Sequence, residues 1–306
     1  NPNGHLITSS IEHDAILEPC KKLTKNGFVV DYLPVDSFGV VDLSNLENHI
    51  SENTNLVSIM FGNNEIGTIQ PISQIAKICH DHKVLFHTDA IQAVGKIPID
   101  VKKLGVDLLS ISSHKLYGPK GVGALFIKNG IDIDPIILGG GQEHGLRSGT
   151  ENVANIVGFG KACEIAKNNL QDNISHVKYL RDFLIHSILN EIPKVTLNGH
   201  PELRLPNNAH FTFLGVNGED LIIKLDEYGI AASTGSACSV NTQKASHVLE
   251  SLNFSYEQIT GSLRLTIGIF NNQKEIEQAV DILKKTVHEL RLVSPYKEKY
   301  SFTSKT

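Results

Sequence analysis

Cysteine is scarce and scattered in this chain: Cys20, Cys79, Cys163 and Cys238 include no Cys-x-x-Cys pair. That pattern supports neither a structural zinc site nor a dense disulfide frame, so no metal centre is expected and a reducing compartment is. Apolar runs are short as well. None approaches the ~20 residues that cross a bilayer, and the longest candidates, such as Val122–Ile127, are interrupted by Gly or flanked by Lys. Long Lys/Arg runs are also missing, and 28 basic against 33 acidic residues leave a formal charge of −5. Without a basic face, counterion release cannot drive polyanion binding, which argues against nucleic acid and against a charged membrane surface as partners.

What is present suits a globular protein with a sizeable core. Hydrophobic residues make up 41 % of the 306 and charged ones 20 %, with 25 Gly and 11 Pro. The chain opens Asn1-Pro2-Asn3-Gly4, without Met and without a readable targeting segment. The expectation is a longer natural protein in the cytoplasm, an organelle being the other compartment open to it.

Strand-like and helix-like patches alternate through the first half, the logic of parallel strands joined by helical crossovers. His5–Thr8, Phe28–Leu33, Leu56–Phe61, Val84–Thr88, Leu108–Ser112 and Ala124–Ile127 read as strands. Ala15–Thr24, Leu43–Ile50 and Ile72–Asp81 read as helices, the first opened by a capping box over Ser9–Glu12. From Thr150 the pattern shifts to long helices, Val153–Lys167 and Ile174–Glu191. It then becomes mixed: a strand at His210–Leu214, a helix at Glu219–Tyr228, a strand at Ile230–Ala232 and an amphipathic helix at Lys274–Val293. The fold class expected is α/β, with a mostly parallel sheet in a large domain over residues 1–170 and a smaller α+β domain over 171–306.

Three places attract chemistry. Lys115, in Ser110-Ile111-Ser112-Ser113-His114-Lys115, follows a strand end, where α/β sheets place ligands and where partial desolvation would make an amine nucleophilic. A solvated loop lysine fits the same residues. Asp89 ends another buried strand, and Gln92 stands one helical turn beyond it; a carboxylate there would suit a pyridinium nitrogen, keeping a pyridoxal ring electron-withdrawing. Cys238 lies in a run of small residues, Ala231–Ser239, and is the best nucleophile candidate of the four; Cys20, Cys79 and Cys163 fall inside amphipathic helices and read as packing residues. Gly139–Asn152, rich in Gly and leading into a helix, and Asn63–Gly67 are polar loops that fit either anion binding or plain turns.

Together these motifs resemble the cysteine desulfurases of the NifS/IscS type, in the aminotransferase class V group of fold-type I pyridoxal-phosphate enzymes. The resemblance rests on Thr8–His13, Asn63–Gly67, His87–Ala90, Ser113–Lys115 with Tyr117–Gly121, Arg147–Asn152 and Gly235–Ser239, in that order, and covers nearly the whole chain. It implies pyridoxal 5'-phosphate bound covalently through Lys115, with Asp89 on the ring nitrogen, Gln92 and Asn64 against the ring, and Ser112 and His114 at the phosphate. It further implies that His13 stacks on the ring and moves protons. Asn64 and Arg264 would hold the substrate carboxylate, as a planar guanidinium suits it. Thr150 would reach the phosphate of a partner subunit, making a homodimer. The implied activity is that of a sulfurtransferase: L-cysteine gives L-alanine and a persulfide on Cys238, whose sulfur passes to an acceptor or iron-sulfur scaffold protein.

The chain departs from that pattern in two places. The family's phosphate-binding loop of Gly-Ala-Thr-Glu type precedes Thr8–His13 and is not in this sequence, and an acidic-Pro pair after the cysteine loop is replaced by Lys244-Ala245. Two other readings share the fold: a selenocysteine lyase, and a non-catalytic scaffold.

Overall fold

The computed structural model describes residues 4–235 and 245–297. Six strands form the larger sheet: β1 (His5–Ser9), β2 (Val29–Leu33), β3 (Thr54–Ser58), β4 (Leu85–Asp89), β5 (Leu108–Ser112) and β6 (Gly123–Ile127). Their order is β2-β1-β3-β4-β5-β6. Pairs β1·β2, β1·β3, β3·β4 and β4·β5 are parallel. The last strand, β6, runs antiparallel to β5, so the sheet is mostly parallel, as expected, with one reversed edge. After β1 the chain turns to β2 on one side and then crosses to β3 on the other, which puts the topological switch between β1 and β3.

Crossover helices α1 (Asp14–Lys25), α2 (Leu43–His49), α3 (Ile72–Asp81) and α4 (Val101–Leu104) connect these strands. Ile7, Val57, Phe86 and Leu109 from the strands pack with Leu46 of α2 and Ile75, Ala76 and Cys79 of α3 in one apolar cluster. Two strongly apolar faces meeting in this way are what parallel strands require, since water must be excluded from both sides. Cys20 and Cys79 are buried within helices, as anticipated, and Cys163 is half-buried in α5 (Val153–Asn168).

The second sheet is antiparallel, ordered β7 (Val195–Asn198), β8 (Asn208–Phe213), β9 (Ser262–Thr266). Around it lie α6 (Leu170–Glu191), α7 (Gly218–Glu227), α8 (His247–Ser251), α9 (Tyr256–Thr260) and α10 (Gln273–Leu292). Its core joins Leu180, Leu184 and Ile188 of α6, Phe211 and Phe213 of β8, and Ile276, Val280, Leu283 and Val287 of α10. A third cluster bridges the two sheets, with Val248 and Leu249 of α8 and the adjoining Leu252 packed on Ile11, Met60 and Ile66 from the loops after β1 and β3. Among the described residues no helix is long and apolar enough to cross a membrane.

Three local expectations fail. Ser9–Glu12 is not a capping box: the N-cap of α1 is His13, whose Nδ1 accepts from the Ala15 N–H at 3.1 Å. Glu12 instead is fully buried, accepting from Ser9 Oγ at 2.6 Å and from the Met60 N–H at 2.8 Å. Ile230–Ala232 is no strand; only Ser233 pairs, in an isolated bridge to Arg264. Strand β3 stops at Ser58, because Ile59, Met60 and Phe61 owe their apolar character to burial in the turn beyond it.

Candidate active site

Four neighbouring parallel strands deliver the candidate residues to one edge of the sheet. His13 follows the end of β1, Asn64 lies in the loop beyond β3, Asp89 closes β4, and Ser112 closes β5. A short 3-10 turn, Ser113–Leu116, then carries His114 and Lys115. Parallel strands point their carboxyl ends the same way, so residues far apart in sequence converge without any one loop having to be long.

Asp89 is buried, which raises its carboxyl above the usual range; the Ile91 N–H at 2.8 Å and the nearby His13 pull it back. A cation set against that carboxyl would remove the burial penalty. On the β5 side the opposite charge accumulates. Burial, with Lys115 beside it, pushes the Lys96 amine down to about 8, and its Nζ donates to Gln92 O at 3.0 Å and Gln92 Oε1 at 3.3 Å. His114 is likewise lowered by desolvation and by Lys115, Lys120 and Lys96. Its Nδ1 lies 2.8 Å from Ser112 Oγ. A crowded set of cations with hydroxyls beside it is the donor chemistry that stabilises a phosphate dianion. The residues present therefore fit a phosphorylated aromatic cofactor with a basic ring nitrogen.

Arg264 reaches this edge from β9. Its Nη1 donates to Asn64 O at 3.0 Å and to Gly235 O at 2.8 Å, so the structure brings Arg264 and Asn64 together. Thr150 stands apart: it is exposed on the segment leading into α5, and among the described residues no hydrogen bond joins it to the other candidates. Cys238 lies outside the described residues.

Lys96 and Glu65 are polar site residues that the sequence motifs leave without a role, and Glu12 is one whose expected role, in a capping box, is replaced by another. Lys96 fixes the Gln92 amide. Glu12 sits behind His13, its carboxyl pushed up to about 8 chiefly by burial. Glu65 is 3 % exposed and accepts from Ser246 Oγ at 2.6 Å. The signal for Glu65 is its place in Asn63-Asn64-Glu65; for Lys96 the sequence offers only an amine inside a largely apolar stretch, and for Glu12 only the local pattern of a helix cap.

Comparison with known proteins agrees with this geometry. The aminotransferase class-V family matches residues 1–279. The chain is 48 % identical over 302 residues to a cysteine desulfurase IscS of Dictyoglomus turgidum, covering 99 % of this chain and 77 % of that protein. It is 50 % identical over 291 residues to a cysteine desulfurase IscS of Methanosarcina thermophila, covering 95 % and 72 %. Among solved structures, a NifS-like protein superposes with a TM-score of 0.87 at 39 % identity, covering 94 % of this chain and 76 % of its own. The NifS-like protein of Rickettsia africae gives 0.86 at 32 % identity, covering 94 % and 77 %. With the matched family spanning nearly all of the chain and such relatives along its length, this protein belongs to the class-V aminotransferases and is of the NifS/IscS cysteine desulfurase type.

Proposed function

We propose that the protein is a pyridoxal-phosphate-dependent cysteine desulfurase, taking sulfur from L-cysteine, leaving L-alanine and carrying the sulfur as a persulfide on Cys238. The observation that carries this reading is the gathering, at the carboxyl ends of neighbouring strands, of a buried Asp89 carboxyl, the Lys115 amine, Gln92 held by Lys96, and the Ser112–His114 hydrogen-bonded pair. In that arrangement Asp89 would hold the ring nitrogen, Ser112 and His114 the phosphate, and Gln92 and Asn64 the ring's edge, with Lys115 as the residue that would bind the cofactor covalently. Bound there, the cofactor withdraws electrons from the substrate's Cα.

The remaining work falls to the chain's own side chains. Arg264, with Asn64 beside it, fixes the substrate carboxylate and so the direction in which the Cα–H bond points. The Lys115 amine would take that proton and return it, and His13 would serve as a second proton-moving group. The Cys238 thiolate attacks the substrate sulfur: an S–S bond forms, the Cβ–S bond breaks, and protonation of the carbon fragment gives alanine. The sulfur then leaves to an acceptor or iron-sulfur scaffold protein. A homodimer is part of the reading, with Thr150 reaching the partner subunit's phosphate; its exposure beside the equally exposed Val153 and Val157 of α5 supports a covered face there. The cytoplasm is the compartment proposed.

Cys238→Ser tests the assignment. The variant is expected to keep the cofactor's visible absorption band and its response to L-cysteine while losing sulfide and alanine production. Sulfide release at the unsubstituted rate would overturn the role of Cys238, and a protein left colourless by pyridoxal phosphate would overturn the activity.

A further inference from the structure

The stretch that carries Cys238 has two described flanks, and both meet the same buried side chain. On the far flank, Ser246 Oγ donates to Glu65 Oε2 at 2.6 Å and accepts the Leu249 N–H at 3.2 Å, capping α8. On the near flank, Gly235 lies so close that a Cβ placed there would stand 2.9 Å from Glu65 Oε2 and 3.3 Å from His210 Nε2. The Gly235 carbonyl is held in turn by Arg264 Nη1, the same nitrogen that donates to Asn64 O. Glu65 itself is fixed from both sides. Its N–H donates to Asn63 Oδ1 at 2.8 Å, and its carbonyl accepts from Asn208 Nδ2 at 2.8 Å.

A buried carboxyl is a costly way to fill space, and an apolar side chain of similar volume would pack there at less expense in desolvation. Only an acceptor, however, can take the Ser246 hydroxyl while sitting beside the Arg264 cation. Burial raises the Glu65 carboxyl; Ser246, His247, Arg264 and His13 draw it back. One oxygen thus bonds the far flank and packs closely against the near one.

We propose that Glu65 is a positioning residue for sulfur capture, a clamp whose Oε2 bonds Ser246 and packs against Gly235, which Arg264 holds by its carbonyl, and so fixes both described flanks of the Cys238 stretch relative to Arg264. The inference rests on the proposed role of Cys238 and adds to it a residue outside the reacting groups.

Hydrogen exchange on the full holoenzyme reads the clamp directly. Glu65→Ala and Ser246→Ala are each expected to speed amide exchange about tenfold on both flanks, in peptides ending at Gly235 and in peptides spanning Ala245–Leu252, because a shared anchor couples them. Turnover should fall about tenfold in kcat with KM for L-cysteine within about twofold, since substrate binding does not use Glu65. Glu65→Gln, which keeps an acceptor for Ser246, should restore most of kcat, and the Glu65→Ala/Ser246→Ala pair should be no worse than Glu65→Ala alone. Exchange confined to the Ser246 flank in both single variants, or fully additive losses in the double variant, would overturn the clamp. If Cys238→Ser still released sulfide, the functional reading would fall while the exchange experiment still decided whether Glu65 joins the flanks.

Discussion

The substitution Glu12→Gln isolates one buried proton. The Glu12 carboxyl is fully enclosed and its pKa rises from 4.5 to about 8, first through burial and then through the Asp89 charge, against the lowering bonds from Ser9 and Met60. Above pH 4.5 the unfolded chain has lost this proton, whereas the folded one keeps it until about pH 8. Folding therefore binds a proton across that window, and stability declines as pH rises through it before levelling off. At about 1.4 kcal/mol per pH unit, the loss between about pH 6.5 and pH 8 is roughly 2 kcal/mol, or ~3 °C in Tm for a chain of this size. The amide introduced by Glu12→Gln has nothing to titrate, yet its oxygen still accepts from Ser9 and Met60. Its amino group occupies the position of an oxygen that has no partner among the described residues, a fixed penalty of about 1–2 kcal/mol that does not vary with pH. Scanning calorimetry of both proteins across this range should show the unsubstituted protein losing ~3 °C in Tm relative to the variant as pH rises. Parallel curves would refute the buried proton, whatever their absolute separation.

Two further outcomes follow from the same structure. His87 is gripped at both nitrogens, with Ser58 Oγ at 2.8 Å from Nδ1 and Ser110 Oγ at 2.8 Å from Nε2, and burial pushes its pKa down to about 4. The unfolded imidazole protonates below 6.5 while the folded one resists until about 4, so stability drains as pH falls between those values. His87→Gln should remove roughly 1.4 kcal/mol per pH unit from that acid slope in urea titrations, and an unchanged slope would locate the acid sensitivity elsewhere. A pair of glycine substitutions separates strain from collision: Gly229 (φ +76°) has open space where a Cβ would go, whereas Gly235 (φ +107°) faces Glu65. Gly229→Ala should cost about 1 kcal/mol from the backbone alone, and Gly235→Ala a further ~1–3 kcal/mol from the clash; equal losses would contradict the contact.

Where chemistry and pairing are local, the sequence is explicit. Helix Ile72–Asp81 and strand Leu108–Ser112 are found at the residues expected, since their apolar periodicity coincides with burial on a single core. Strand-end positions follow from those elements, which is why Asp89 and Lys115 are legible as site candidates at the sheet's carboxyl edge. Long-range partners are another matter. Glu12 carries a local signature of helix capping, but Met60, far along the chain, claims its carboxylate. Strand β9 escapes notice because five residues with only Leu263 and Leu265 turned inward resemble many surface segments; its place between β8 and the Ser233 bridge is what brings Arg264 to Asn64. Glu65 is visible in its motif, yet nothing local points to Ser246 as its partner.

The five-residue α8 closes a gap that the larger sheet cannot close for itself. Ile11, Met60 and Ile66, from the loops after β1 and β3, line an apolar floor, and the roof is supplied by Val248, Leu249 and Leu252 from far along the chain. The His247 ring, 2.8 Å from the Glu12 carbonyl, seals its margin. Synthesis from the amino end thus leaves this floor wet until residues 247–252 have emerged, and the nascent chain is exposed to self-association for that interval. Maturation of the reactive edge is delayed until α8 folds back onto loops made much earlier.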